Sequence, residues 1–137
     1  MKTLAIDTST SFLSLACLDD ERTVSMLHED AGTKHSEIIT AKIKKLAKDA
    51  GWTMKDIDLI AFGLGPGSFT GLRIGAATVK GMAMALGCGV AGVPTLDAVA
   101  MRVPSGDGSV APIIDAHKGK VYSCFYERTS EGYLRRK

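Results

Sequence analysis

Asp58-Leu59-Ile60-Ala61-Phe62-Gly63-Leu64-Gly65-Pro66-Gly67-Ser68-Phe69-Thr70-Gly71 is the most informative stretch of this chain. Its first half is continuously apolar, which is the character of a strand covered on both faces. Gly65-Pro66-Gly67 ends that strand. Ser68 can then cap a helix, because its hydroxyl accepts from orphan N–H groups two or three residues on. Helix-forming residues continue to about Leu86, and Gly87 and Gly89 stop them. A buried strand feeding a helix through a glycine loop points to an α/β architecture.

Upstream of this unit, Thr3 to Ile6, Phe12 to Leu18 and Arg22 to Leu27 are β-rich runs separated by polar turns, and they read as three antiparallel strands. From Lys34 to Ala50, Ile39, Ile43, Leu46 and Ala50 recur at helical spacing, with Lys42, Lys44, Lys45 and Lys48 elsewhere and Gly51 after the end. That pattern predicts an amphipathic helix. Downstream, Val90 to Val93 is a further short strand, and Pro94-Thr95 opens a helix over about Leu96 to Arg102. Pro104-Ser105-Gly106-Asp107-Gly108 then reads as a linker, so that residues 1–104 form one domain and residues 105–137 begin another. The second part restarts the first. Ile113-Ile114-Asp115-Ala116 followed by Val121 to Tyr126 repeats the layout of Leu4-Ala5-Ile6-Asp7-Thr8 followed by Leu13 to Leu18, at an offset of 108 residues.

The 137 residues are 45% hydrophobic and 23% charged, enough for a packed core, which excludes disordered and low-complexity classes. A net charge of +2 gives no nucleic-acid footprint. Cys17, Cys88 and Cys124 form neither a C-x-x-C pair nor a disulfide ladder; they read as small core hydrophobes in a reducing cytoplasm. The first apolar run, Leu4-Ala5-Ile6, stops at Asp7, far short of a signal-peptide core.

The glycine loop is a candidate anion cradle, since it presents the unpaired N–H groups of a helix start. Gly65, Gly67 and Ser68 would make the contact, with Asp7 and Asp115 at the ends of their strands holding a metal-bound phosphate between two lobes. The loop lacks the lysine of a P-loop and the G-x-G-x-x-G spacing, and an aspartate after a strand also serves simply to cap a turn. Gly71 and Gly75 lie one helical turn apart, and each interior glycine costs about 0.5–1 kcal/mol relative to alanine, so close approach of another backbone is expected there. That backbone belongs either to this chain's own sheet or to a partner's helix. His28, His35 and His117 have no metal-ligand spacing. Ser68, His35 and Asp7 could be imagined as a hydrolytic triad, but Ser68 is not the serine of a G-x-S-x-G elbow. The lysines of the first helix read as a solvated face.

Ala5-Ile6-Asp7-Thr8-Ser9, His35-Ser36-Glu37, Gly65-Pro66-Gly67-Ser68-Phe69-Thr70-Gly71-Leu72-Arg73-Ile74-Gly75 and Asp115-Ala116-His117-Lys118-Gly119-Lys120-Val121-Tyr122 together resemble the TsaB (YeaZ) family along the whole chain. Lys120 stands where the family pattern has glutamate. The resemblance implies a duplicated actin/Hsp70-like (ASKHA) α/β fold with a mixed sheet, here an amino-terminal lobe plus the opening hairpin of a truncated second lobe. It further implies a non-catalytic partner of TsaD, acting with TsaE in making the threonylcarbamoyl-adenosine of tRNAs that read ANN codons. On this reading the chain binds no cofactor alone, ATP or ADP enters at the level of the complex, and tRNA is met only through the complex, with no membrane involved. TsaD would dock on His35, Ser36, Ile39, Ile43, Phe69, Gly71, Leu72 and Gly75, and the same patch would make a homodimer of the isolated chain. A nucleotide-binding phosphotransferase is the alternative, weakened because Thr8-Ser9-Thr10 follow Asp7 where sugar kinases and Hsp70s place glycines. A glycoprotease-like peptidase is the third reading.

Overall fold

In the computed structural model the described residues are 1–103, 108–128 and 134–136, the last three and Arg128 by backbone alone. Five strands make the main sheet: β1 (Lys2–Asp7), β2 (Phe12–Asp19), β3 (Arg22–Asp30), β4 (Leu59–Gly63) and β5 (Gly89–Val93), in the order β3-β2-β1-β4-β5. β1 is central, antiparallel to β2 and parallel to β4. β2–β3 is antiparallel and β4–β5 parallel, so the sheet is mixed as expected. β3 runs three residues past the expected Leu27, because His28 and Glu29 continue to pair with Ser14 and Leu13.

Two helices, α1 (His35–Asp49) and α2 (Phe69–Leu86), cover one side of this sheet. Alternate strand residues Leu4, Ile6, Leu13, Leu15, Cys17, Ile60 and Phe62 meet Ile39, Ile43, Leu46 and Val79 there, all buried. Each such aliphatic side chain contributes about 1.5–3 kcal/mol through burial, which fixes the strand register, since a slip of one residue would turn the whole set outward. Ser68 caps α2 by accepting from Gly71 N–H at 3.2 Å, and Gly87 ends it in the left-handed region at φ 69°. A third helix, α3 (Thr95–Met101), lies on the opposite side, where Thr95 and Ala98 face Ala5 and Ala61.

Beyond Gly108 come β6 (Ser109–Val110), β7 (Ile113–Asp115), β8 (Val121–Ser123), β9 (Tyr126–Arg128) and β10 (Leu134–Arg136). β7 and β8 form a hairpin, with Asp115 opposite Val121. The strand expected to run from Val121 to Tyr126 is therefore two strands. Tyr126 belongs to β9, which pairs with β6 and β10 instead of β7. Its buried ring lies 2% exposed and its hydroxyl donates to Asp97 Oδ1 of α3 at 2.6 Å, which pulls the chain out of the hairpin after Cys124 and Phe125. The expected linker at Pro104–Asp107, and with it the boundary after residue 104, lies outside the described residues. Of the three cysteines only Cys17 is a core residue; Cys88 and Cys124 are half-buried.

Candidate functional site

The turn after β1 and the loop after β4 are built against each other. Asp7 Oδ1 accepts from Ser9 N–H at 2.9 Å and from the Ser9 hydroxyl at 2.7 Å, which folds the chain back toward β2. Thr8 and Ser9 are thereby carried into the interior, 0% and 3% exposed. The Thr8 hydroxyl donates to the Gly71 carbonyl at 2.8 Å, and the Ser9 carbonyl accepts from Ser68 N–H at 2.6 Å.

Gly67, Gly71 and Gly75 on the facing side are explained by this contact. A Cβ at Gly67 would overlap the Ser9 carbonyl, one at Gly71 the Thr8 carbonyl, and one at Gly75 the Thr8 hydroxyl and the Phe62 ring. A Cβ at Gly63 would overlap the Asp7 carboxylate. Gly65, at φ 90° before a cis Pro66, gives its carbonyl to Thr95 N–H at 2.8 Å.

The expected anion cradle is therefore narrowed at Ser68. Three donors of the loop and helix start are already used: Ser68 N–H by the Ser9 carbonyl, Gly71 N–H by the Ser68 hydroxyl and Leu72 N–H by the Ser68 carbonyl. An anion on Ser68 N–H would have to displace the Ser9 carbonyl, and a buried polar group left without a partner costs about 1–3 kcal/mol. Asp7 and Asp115 both take the turn-capping role instead. Asp115 Oδ1 accepts from His117 N–H at 2.8 Å, just as Asp7 accepts from Ser9, so the two repeats share a side-chain turn at the 108-residue offset. The turn in the second copy is one residue shorter, since Asp7 pairs with Ser14 but Asp115 with Val121.

The groups of the imagined triad are likewise engaged apart: Ser68 on the helix start, Asp7 on Ser9, and His35 through Nε2 at 3.3 Å from the Phe12 carbonyl. His28 stacks on Phe12 with ring centres 4.6 Å apart, and His117 stands in the β7–β8 turn. Among the described residues no three His, Cys, Asp or Glu side chains gather as metal ligands would.

The docking surface expected on α1 and α2 is also redrawn. His35, Ile39 and Ile43 are at most 4% exposed, and Gly71 and Gly75 are buried against Thr8 and Phe62, so none of the five can meet a partner. Leu72 is half-buried over Gly65. Ser36 and Phe69 are exposed, Phe69 by 74%. The outward face of α2 is a different stripe: Phe69, Arg73, Ala76, Ala77, Lys80 and Met84, with the Arg73 guanidinium 5.4 Å from the centre of the Phe69 ring. Small residues between larger ones leave a shallow depression there, lined by Thr70, Arg73, Ile74, Ala76 and Ala77. Helical spacing could have found this stripe, since positions 69, 73, 76, 80 and 84 share a face set off from that of 71, 75 and 79.

A family model described as "TsaD: tRNA N6-adenosine threonylcarbamoyltransferase" matches residues 25–133. The chain belongs to this family. Its relatives within it are TsaB (YeaZ) members. The chain is 36% identical over 134 residues to the tRNA threonylcarbamoyladenosine biosynthesis protein TsaB of Escherichia coli K12, covering 96% of this chain and 58% of that protein. It is 32% identical over 127 residues to the Bacillus subtilis protein of the same name, covering 93% and 56%. Among solved structures, YeaZ from Pseudomonas aeruginosa superposes with a TM-score of 0.88 at 36% identity, over 99% of this chain and 64% of that one. The actin-like TsaB fold is thus present, and the chain spans a little over half the length of these curated relatives. No helix among the described residues is long and apolar enough to cross a membrane.

Proposed function

We propose that this chain serves as a non-catalytic partner of TsaD in making the threonylcarbamoyl modification of adenosine in tRNAs that read ANN codons. The observation that carries this is the match along nearly the whole chain to proteins named for threonylcarbamoyladenosine biosynthesis. The outer stripe of α2 supports the partner role. It sets Phe69 and Met84, 74% and 76% exposed, at either end of a run of small residues, and aromatic and methionine side chains are favoured anchors at protein interfaces. TsaE joins at the level of the complex, ATP or ADP and tRNA bind there also, and the isolated chain pairs with itself through the same stripe in the cytoplasm.

The family description names a transferase, and the actin-like fold leaves a nucleotide-binding phosphotransferase as the second reading. Against it stands the glycine loop, whose Ser68 N–H already holds the Ser9 carbonyl. Capture of purified TsaD by the chain is the test. The double change Phe69→Asp and Met84→Asp, both on exposed positions, should abolish capture while leaving the melting temperature unchanged. No capture by the unaltered chain would refute the partnership, and capture unaffected by the double change would refute the surface. Modification of tRNA by the chain without TsaD, or calorimetric binding of ATP to the chain alone, would favour the enzyme reading.

A further inference from the structure

The first turn of α2 stands closer to the turn after β1 than two apolar surfaces could. The Thr8 hydroxyl donates to the Gly71 carbonyl across 2.8 Å, whereas a carbon in place of that oxygen would stand off at about 3.3–3.6 Å. Gly67, Gly71 and Gly75 leave room for the approach. A second bond, from Ser68 N–H to the Ser9 carbonyl at 2.6 Å, holds the same helix start three residues earlier. Phe69 lies between the two attachment points. The segment that makes them is itself braced, because Asp7 Oδ1 accepts from both the N–H and the hydroxyl of Ser9. Thr8 is fully buried and Ser9 nearly so, which keeps water from competing for these bonds.

α2 has its own end signals, the Ser68 cap and Gly87 in the left-handed region, so it does not need Thr8 in order to be a helix. What the attachment adds is place. Phe69 is 74% exposed and the Arg73 guanidinium lies 5.4 Å from its ring centre, so that the aromatic anchor and the cation form one unit on the first turns of α2. We propose that Thr8 is a positioning residue for the docking of TsaD: from the interior it fixes the Phe69–Arg73 pair in the orientation that the partner meets. An anchor set in advance does not have to be ordered on binding, and a site whose support yields by a fraction of an ångström loses that advantage. Thr8 touches no partner itself. The inference rests on the reading of the outer α2 stripe as the face that meets TsaD, and adds which residue holds that face in place.

Two readouts test this in the full chain: the nuclear magnetic resonance signals of the Arg73 side chain, which the Phe69 ring shifts, and the rate at which purified TsaD dissociates from the chain. Thr8→Val puts a methyl group in place of the hydroxyl and must push the first turn outward. The Arg73 signals should then move toward those of Phe69→Ala, which has no ring, and TsaD should leave about tenfold faster, because interface changes act mainly on the off-rate. Thr8→Ser keeps the bond and should restore both. Ile57→Val removes a core methylene at the other end of β4 from the start of α2; it should lower the melting temperature and move neither readout. Should Thr8→Val fold poorly, Thr8→Ala removes the same bond without added bulk. Unchanged Arg73 signals in the variant that lacks the hydroxyl would overturn the proposal. So would equally fast loss of TsaD from Ile57→Val, which would make Thr8 one stabilising contact among many. Failure of the unaltered chain to capture TsaD at all would refute the docking face, and the proposal with it; capture with Arg73 unmoved refutes the positioning role alone.

Discussion

A methyl group at position 75 would overlap the Thr8 hydroxyl and press on the Phe62 ring, whereas one at position 81 would meet nothing within 4 Å. The two glycines sit in the same helix and differ only in what faces them. Gly75→Ala should therefore destabilise the fold by about 1–3 kcal/mol through overpacking. Gly81→Ala should stabilise it by up to about 1 kcal/mol through helix propensity. Urea unfolding of the two variants checks the opposite signs. A titrating residue gives a second prediction at this scale. Burial pushes the Cys17 thiol above its ordinary value of 9.0, and a hydrogen bond from Ser25 offsets only part of this. A group whose pKa is raised on folding contributes stability that is fully present below its unfolded value and lost as pH rises through the folded one. Unfolding free energy should thus decline above about pH 9, and Cys17→Ala should flatten that alkaline decline.

At the level of elements, α2 depends on its first residue's neighbour. Ser68→Ala removes the acceptor for Gly71 N–H and should cost about 1 kcal/mol, read as a lower melting temperature with helical content otherwise retained. That cap was legible in the sequence, as were Gly87 at the other end of α2 and the Ile39, Ile43, Leu46 stripe of α1, because each rests on residues within a few positions of one another. The partner of the glycine loop was not. Gly67, Gly71 and Gly75 announce that something approaches closely, but the thing that does, Thr8-Ser9, lies some sixty residues earlier, and local pattern carries no such pairing. The same limit split the expected strand after Val121: an apolar run says that residues are extended or buried, not that their hydrogen-bonding partner changes from β7 to β6 at Tyr126. Interface residues were misplaced for a related reason. Ile39 and Ile43 are apolar and helical, which describes core and contact surface equally.

For the molecule as a whole, apolar surface is unevenly distributed. Ile113, Val121, Tyr122 and Phe125 are between 46% and 67% exposed on and beside the β7–β8 hairpin, and a two-stranded ribbon is at best marginal in water by itself. The chain should self-associate at high concentration through this ribbon, and joining it to the remaining portion of a longer relative should raise the melting temperature. Light scattering that does not fall on Val121→Lys would argue against the ribbon as the contact. The two aspartate turns also age differently under a protease. The first is locked beneath Ser68 and the start of α2; the second presents Asp115 and His117 with side chains 75% and 87% exposed, and holds His117 and Lys118 in the left-handed region. A backbone that needs little opening is cut first. Brief trypsin treatment should nick the protein after Lys118 or Lys120 while the lysines of α1 survive. Two copies of one turn thus become a durable anchor in one repeat and, among the described residues, an early point of failure in the other.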